Sequence, residues 1–189
     1  SLRRRQRQMC IRDRGMVQNM SCKIYMDHAA TTEMLPQVRK AMEPYLMEEY
    51  GNASTSYEMG RRTREALEGA REQIAMLIKA KPEEIFFTSG GSESDNWVIK
   101  NVAAEKKEKG KHVITSKIEH HAVLRSCEYL EKLGYELTYL DVDAYGVIDL
   151  AQLREVLRED TTLVSVMTGN NEIGTIEPLD AVASMLRGT

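Results

Sequence analysis

The chain has 189 residues, enough for one domain with a sizeable core, and its 42% hydrophobic and 29% charged content is typical of a soluble globular protein rather than a fibrous or disordered one. The formal net charge of -3 gives no general attraction to nucleic acid or to an anionic membrane, so a small-molecule ligand is the better expectation. No apolar run reaches the roughly 18 residues of a transmembrane helix, and no membrane association is expected.

The chain starts with a basic segment and stops inside a helical pattern. Residues 1–15 contain six arginines and no regular apolar spacing, which predicts a non-native or disordered tail; a nucleic-acid-binding arm is the alternative. The domain is then expected to start at Met16 or Met20. The last helical pattern has no stop signal, so residues 16–189 are interpreted as the N-terminal part of a longer domain.

Helices and strands alternate along the rest of the chain. Apolar residues at helical spacing predict helices over residues 36–49 and 57–79, and a short apolar run predicts a strand over residues 85–88. The alternation continues with strands over 112–115, 136–140 and 162–167, and with helices from about 92, over 122–133, over 150–158 and from 178. This order predicts crossover connections and an α/β fold with a mainly parallel sheet flanked by helices.

Three polar loops follow predicted strands, at residues 89–93, 116–121 and 168–174. Ligands of open parallel sheets bind beyond the carboxyl ends of the strands. We therefore expect these loops to converge on one edge of the sheet and to form a binding site.

The first loop could hold a phosphate. Gly90 and Gly91 allow close approach of the backbone, and the start of the following helix offers unpaired N–H groups with partial positive charge. Ser92 could add a hydroxyl donor and also cap the helix. An ordinary tight turn with a serine cap explains the same residues equally well.

The other loops carry histidine and asparagine. An imidazole at His120 or His121 could stack on a flat ring or move a proton near neutral pH, and a helix-capping or surface pair is the alternative. A zinc site is disfavoured because no further ligand lies nearby in sequence. Asn170 and Asn171 could contact a polar ligand, although such turns also form for local reasons.

Two remaining features carry weaker signals. The small residues of the segment 27–32 would permit a close-packed wall against a cofactor or a partner subunit. The cysteines Cys10, Cys22 and Cys127 are odd in number and lack CxxC spacing, which favours a reducing cytoplasm over a disulfide framework. Cys127 is interpreted as a buried small hydrophobe in a helix rather than a catalytic thiol.

Taken together, five segments resemble the cysteine desulfurases, which are class V members of the fold-type-I pyridoxal-phosphate enzymes. In chain order they are YMDHAATT at 25–32, GNAS at 51–54, FTSGGSESDN at 87–96, ITSKIEHHAVL at 114–124 and VSVMTGNNEIGTIEP at 164–178. The resemblance implies the large domain of that fold, incomplete here. Its nearest branch is the housekeeping iron–sulfur type or its nitrogen-fixation relative.

The resemblance also implies roles for individual residues. Gly91 and Ser92 would bind the cofactor phosphate, and Ser92 keeps the hydroxyl that the family often supplies from threonine. His120 would stack on the pyridine ring and assist proton transfer, and Asn171 would contact the cofactor and the substrate amino acid. His121 receives no role, and Ala53 stands where the family commonly has proline.

The reaction so implied removes sulfur from L-cysteine and leaves L-alanine and an enzyme persulfide for iron–sulfur assembly or tRNA thiolation. The family places its cofactor-bearing lysine and persulfide cysteine downstream of residues 170–174, so this chain alone is expected to be inactive. The expected partners are L-cysteine, a second copy in a cytoplasmic homodimer, and a scaffold or sulfur-acceptor protein. The alternatives are a selenocysteine lyase, another class V enzyme, or a natural truncated protein that binds a partner without catalysis.

Overall fold

The computed structural model describes residues 24–187, and the chain divides into two compact units, residues 1–34 and 35–189. The described part of the first unit contains a turn, in which the amide of Ala30 donates to the carbonyl of Asp27 at 3.2 Å. The rings of Tyr25 and His28 meet edge to face at 5.2 Å within the same unit. The predicted tail at residues 1–15 lies outside the described residues. Every helix and strand between residues 24 and 187 belongs to the second unit.

The second unit has a parallel sheet with helices on both faces. Its strands are β1 (His112–Ser116), β2 (Glu136–Leu140) and β3 (Thr161–Ser165), in the order β2-β1-β3. Its helices are α1 (Pro36–Met47), α2 (Glu58–Ile78), α3 (Gly91–Glu105), α4 (His121–Lys132), α5 (Leu150–Val156) and α6 (Leu179–Leu186), with a short 3-10 turn at Pro82–Glu84. The predicted parallel sheet flanked by helices is confirmed. None of the helices within residues 24–187 is long and apolar enough to cross a membrane.

The central strand β1 is buried along its whole length and divides the core in two. Because successive side chains of a strand point to opposite faces, Val113 and Ile114 enter different clusters. Val113 packs with residues of α3 and α4, namely Ile99, Ala103, Val123, Cys127 and Leu130. Ile114 packs with Leu140, Ile148, Leu153 of α5 and Val182 of α6. The two pairs of helices therefore cover opposite faces of one sheet.

The predicted strand over residues 85–88 is wrong. The segment is extended at Ile85, but no strand within residues 24–187 pairs with it, and Phe86 and Phe87 remain 67% and 46% exposed. Arg71 of α2 donates to the carbonyl of Ile85, and its guanidinium lies 5.2 Å from the centre of the Phe87 ring. A strand-forming composition gives a strand only where a neighbour receives the backbone hydrogen bonds, and here an arginine takes one of them.

At the amino end of β1, the buried side chain of His112 connects the three strands. Its Nδ1 lies 2.8 Å from Oγ1 of Thr161 in β3, and its Nε2 lies 2.8 Å from Oγ1 of Thr138 in β2. Burial lowers the pKa of His112 and the nearby Arg158 lowers it further, against the opposite influence of the carboxylates Glu136 and Asp160. The folded protein therefore favours the neutral imidazole.

A lowered histidine pKa predicts loss of stability on acidification. As the pH falls through the ordinary histidine pKa of about 6.5, the unfolded chain binds a proton that the folded chain does not yet bind, so the free energy of unfolding decreases. We expect urea titrations between about pH 7.5 and pH 5.5 to show this decrease and His112→Gln to reduce it. The exposed His121→Gln is the control and should keep the full decrease. Equal pH dependence in wild type and His112→Gln would contradict the assignment.

Candidate functional site

The start of α3 is an open group of backbone donors. Because α3 begins at Gly91 and its first intrahelical bond runs from Ser94 to the carbonyl of Gly90 at 3.2 Å, the amides of Gly91, Ser92 and Glu93 have no acceptor within the helix. Apart from the adjacent residues and the backbone of α3 itself, a Cβ built on Gly90 or Gly91 would meet no described heavy atom within 4 Å. Packing against other parts of the described chain therefore does not require glycine at these two positions.

The predicted helix cap at Ser92 is wrong. The N-cap residue is Gly90, which has no side chain to donate or accept, and Ser92 already lies inside the first turn. The side chain of Glu93 makes a hydrogen bond at the helix start instead: its carboxylate accepts from the amide of Ser89 at 2.6 Å. This hydrogen bond lowers the pKa of Glu93. A glutamate at the third helical position is a known signal of a helix start, and the sequence reasoning missed it here.

His120 is the N-cap of α4. Its Nδ1 accepts a hydrogen bond from the amide of Ala122 at 3.1 Å, so the capping interpretation of this residue matches the geometry. A ring nitrogen that accepts from an amide carries no proton, which assigns the proton of the neutral ring to Nε2. The ring itself is exposed, and that of His121 lies 6.3 Å away at an angle of 56°.

The two asparagines after β3 differ in their surroundings. The side chain of Asn170 is fully used: its Nδ2 donates to the carbonyl of Ile118 at 2.9 Å, and its Oδ1 accepts from the amides of Glu172 and Ile173. The side chain of Asn171 is exposed and bonds to none of the residues in the described part of the chain. Of these two asparagines, Asn171 is the one whose side-chain amide is free for a ligand.

The loops after β1 and β3 are joined directly. Besides the bond from Asn170 to Ile118, the carboxylate of Glu119 accepts from the amide of Met167 at 2.6 Å. Both α3 and α4 pack on the same face of the sheet, and the charge of Asp95 in the second turn of α3 acts on Glu119. The structure thus brings two of the three predicted loops together and places the start of α3 on the face beside them.

Three side chains that could act as nucleophiles, two lysines and a cysteine, are engaged in other contacts or buried. The ammonium of Lys117 is paired with Asp141, and that of Lys100 lies 4.7 Å from the centre of the Tyr129 ring. Cys127 is completely buried in α4, and burial raises its pKa to about 11. This confirms the interpretation of Cys127 as a buried hydrophobe rather than a nucleophile.

Cys127 should be unreactive in the folded chain. With a pKa of about 11, only on the order of one thiol in a thousand is ionised at about pH 8, and the sulfur is closed to solvent. In a variant with Cys10→Ser and Cys22→Ser, we expect a thiol reagent to react with Cys127 only as fast as the chain unfolds. Denaturant provides the positive control. Rapid labelling of the native chain would show that the site is accessible.

These features, a parallel α/β sheet with an open helix start and polar loops beyond its strands, are typical of enzymes that bind a phosphorylated cofactor at the edge of the sheet. Residues 24–189 match the aminotransferase class-V family, and the chain belongs to that family. Members named cysteine desulfurase or class V aminotransferase depend on pyridoxal phosphate.

Named relatives agree with this family. The chain is 53% identical over 168 residues to the cysteine desulfurase IscS of Dictyoglomus turgidum, covering 89% of this chain and 43% of that protein. It is 49% identical over 164 residues to the IscS of Methanosarcina thermophila, covering 87% of this chain and 41% of that protein. The chain therefore spans less than half the length of the relatives it matches.

Solved structures show the same fold. A NifS-like protein superposes with a TM-score of 0.85 at 40% identity, covering 87% of this chain and 45% of that one. SspA in complex with cysteine superposes with a TM-score of 0.82 at 37% identity, covering 86% of this chain and 47% of that one. The described sheet is therefore consistent with an incomplete fold-type-I domain.

Proposed function

We propose that the protein to which this chain belongs is a pyridoxal-phosphate-dependent cysteine desulfurase, which converts L-cysteine to L-alanine and leaves the sulfur as an enzyme persulfide. The observation that carries the proposal is the open helix start at Gly91, next to joined loops that present His120 and Asn171. The similarity to two cysteine desulfurases over 87% to 89% of the chain supports it. The cysteine bound to SspA supports the choice of substrate.

The start of α3 fits the phosphate of the cofactor. A dianionic phosphate prefers several N–H donors and a partial positive charge, and the first amides of a helix of 15 residues provide both. Gly91 and Ser92 would hold the phosphate through their amides, and the hydroxyl of Ser92 would add a donor. The carboxylate of Glu93 is directed to the amide of Ser89, so its charge is already hydrogen-bonded.

His120 and Asn171 would contact the rest of the ligand. The exposed imidazole of His120 is large enough to cover a pyridine ring, and its protonated Nε2 is the atom from which a proton could move. The free amide of Asn171 can donate and accept, which suits a ring substituent or the substrate carboxylate. When bound, pyridoxal phosphate supplies an electron sink for bond cleavage next to the substrate amino group.

The lysine that carries the cofactor and the cysteine that takes the sulfur are proposed to lie in the remaining half of the protein. Lys100, Lys117 and Cys127 are engaged elsewhere or buried. We further propose a cytoplasmic homodimer that passes sulfur to an iron–sulfur scaffold or another acceptor protein.

A chimera tests the function. The part of this chain that matches the Dictyoglomus turgidum enzyme, over 168 residues, would replace the corresponding part of that enzyme, which then supplies the other half. We expect the chimera to bind pyridoxal phosphate and to form equal amounts of L-alanine and sulfide from L-cysteine in the presence of a thiol reductant. The 189-residue chain should form neither above a cofactor-only blank.

Two outcomes would count against the proposal. A folded chimera that binds no cofactor would contradict the assignment of the site. A chimera that binds cofactor and acts on L-selenocysteine but not on L-cysteine would point to the lyase instead. A chimera with Ser92→Ala should bind the cofactor more weakly but keep the same product ratio, since the hydroxyl holds the phosphate and takes no part in the chemistry.

A further inference from the structure

Glu119 is a buried carboxylate between the two joined loops. Its side chain comes from the loop after β1, is 7% exposed, and accepts from the amide of Met167 at 2.6 Å and from Oγ of Ser116 at 3.2 Å. Met167 belongs to the chain just after β3, 48 residues away. This one side chain therefore links the ends of two neighbouring strands.

Burial of this carboxylate is unfavourable by itself. Burial raises the pKa of Glu119, the charges of Asp95 and Glu177 raise it further, and only the bonds from Met167 and Ser116 act in the opposite direction. A buried polar group of this kind is tolerated where its hydrogen bonds fix a geometry that an apolar residue could not fix.

A second link runs in the opposite direction. Asn170, from the loop after β3, donates to the carbonyl of Ile118 in the loop after β1 at 2.9 Å. Each linking residue directly precedes a proposed ligand-binding residue, Glu119 before His120 and Asn170 before Asn171. The two links therefore limit how far His120 and Asn171 can move relative to each other.

We propose that Glu119 is a positioning residue of the cofactor site: by holding the amide of Met167, it sets the separation between His120 and Asn171. This inference rests on the function proposed above. It assigns Glu119 no contact with cofactor or substrate. The proposed role requires the length and the acceptor oxygen of the Glu119 side chain. It does not require the negative charge, because the donor on Met167 is a neutral amide.

The test uses pyridoxamine 5′-phosphate, which needs no lysine for attachment, and the 189-residue chain. Glu119→Ala removes the link, Glu119→Asp keeps the charge but shortens the side chain, and Glu119→Gln keeps both length and acceptor. Since a hydrogen bond within such a site contributes on the order of a tenfold change in affinity, we expect Glu119→Ala and Glu119→Asp to bind about tenfold more weakly in calorimetric titration. Glu119→Gln should bind nearly as well as wild type.

Two further readouts separate positioning from general stability. In Glu119→Ala, exchange of the Met167 amide should accelerate at least about tenfold, and the ¹⁵N shifts of the His120 ring should change. Glu128→Gln is the control, because it also removes one carboxylate charge, here from the exposed pair that Glu128 of α4 forms with Arg125. It should leave all three readouts unchanged.

The outcomes are distinct. If wild type does not bind pyridoxamine 5′-phosphate, the same variants are compared in the chimera, and a folded chimera that binds no cofactor would contradict the proposed function and the inference with it. If wild type binds and Glu119→Asp binds equally well, the inference alone is wrong. If Glu119→Ala does not fold, the affinities of Glu119→Asp and Glu119→Gln for pyridoxamine 5′-phosphate still test the positioning role. Equally weakened binding in these two variants would overturn it.

Discussion

Replacing Gly91 by glutamate is expected to abolish detectable binding of pyridoxamine 5′-phosphate to the chain. The new carboxylate would lie on the first residue of α3 and repel the phosphate at close range. The loss of about 3 kcal/mol of charge-assisted hydrogen bonding corresponds to at least a hundredfold weaker binding, measured by calorimetric titration.

The fold should survive this change. An acidic residue in the first turn of a helix stabilises it by roughly 0.3–1 kcal/mol, so the thermal midpoint of Gly91→Glu should not fall. Gly91→Ala is the matched control, because its Cβ would meet no described atom within 4 Å outside the adjacent residues and the backbone of α3, and it should bind nearly as well as wild type. Binding by Gly91→Glu at the wild-type level would mean that the phosphate lies elsewhere.

Replacing Leu140 by alanine is expected to lower the free energy of unfolding by about 2–5 kcal/mol. Leu140 ends β2, is completely buried, and packs with Ile114 and Leu153, so its removal leaves a cavity between the sheet and α5. Urea or thermal denaturation followed by circular dichroism would measure the loss. For a chain of this size, such a loss can leave a large fraction unfolded at 37 °C.

Leu133→Ala provides the comparison for this variant. Leu133 follows α4 and is 53% exposed, so the same chemical change should alter the free energy of unfolding by no more than about 0.5 kcal/mol. Similar losses at Leu133 and Leu140 would show that the packing around β1 differs from the one described.

Most of the regular structure of residues 35–187 could be predicted from the sequence. The strands β1 and β2 and the helix α4 are within one residue of their predicted bounds, because their apolar spacing and their glycine or cap residues are local signals. The segment 85–88 has equally strong strand composition and forms no strand, because strand formation depends on a partner that local sequence does not reveal.

The candidate site likewise combines a feature that local sequence predicts with one that depends on tertiary contacts. The open helix start at Gly91 was expected from two glycines before a helical pattern, which is again local information. The difference between Asn170 and Asn171 could not be read from two identical neighbouring residues. It arises because the amide of Asn170 reaches Ile118, a residue 52 positions away that only the sheet brings near.

The sequence by itself determined the alternation of strands and helices and the family, and it supplied the candidate residues for a phosphorylated ligand, since these follow from patterns within short stretches of chain. The tertiary structure alone decided which histidine caps a helix, which asparagine is free, and that Glu119 joins two loops. The reason is physical: hydrogen bonds between residues some 50 positions apart depend on strand order and register, which β1, β2 and β3 acquire only when they pack as one sheet.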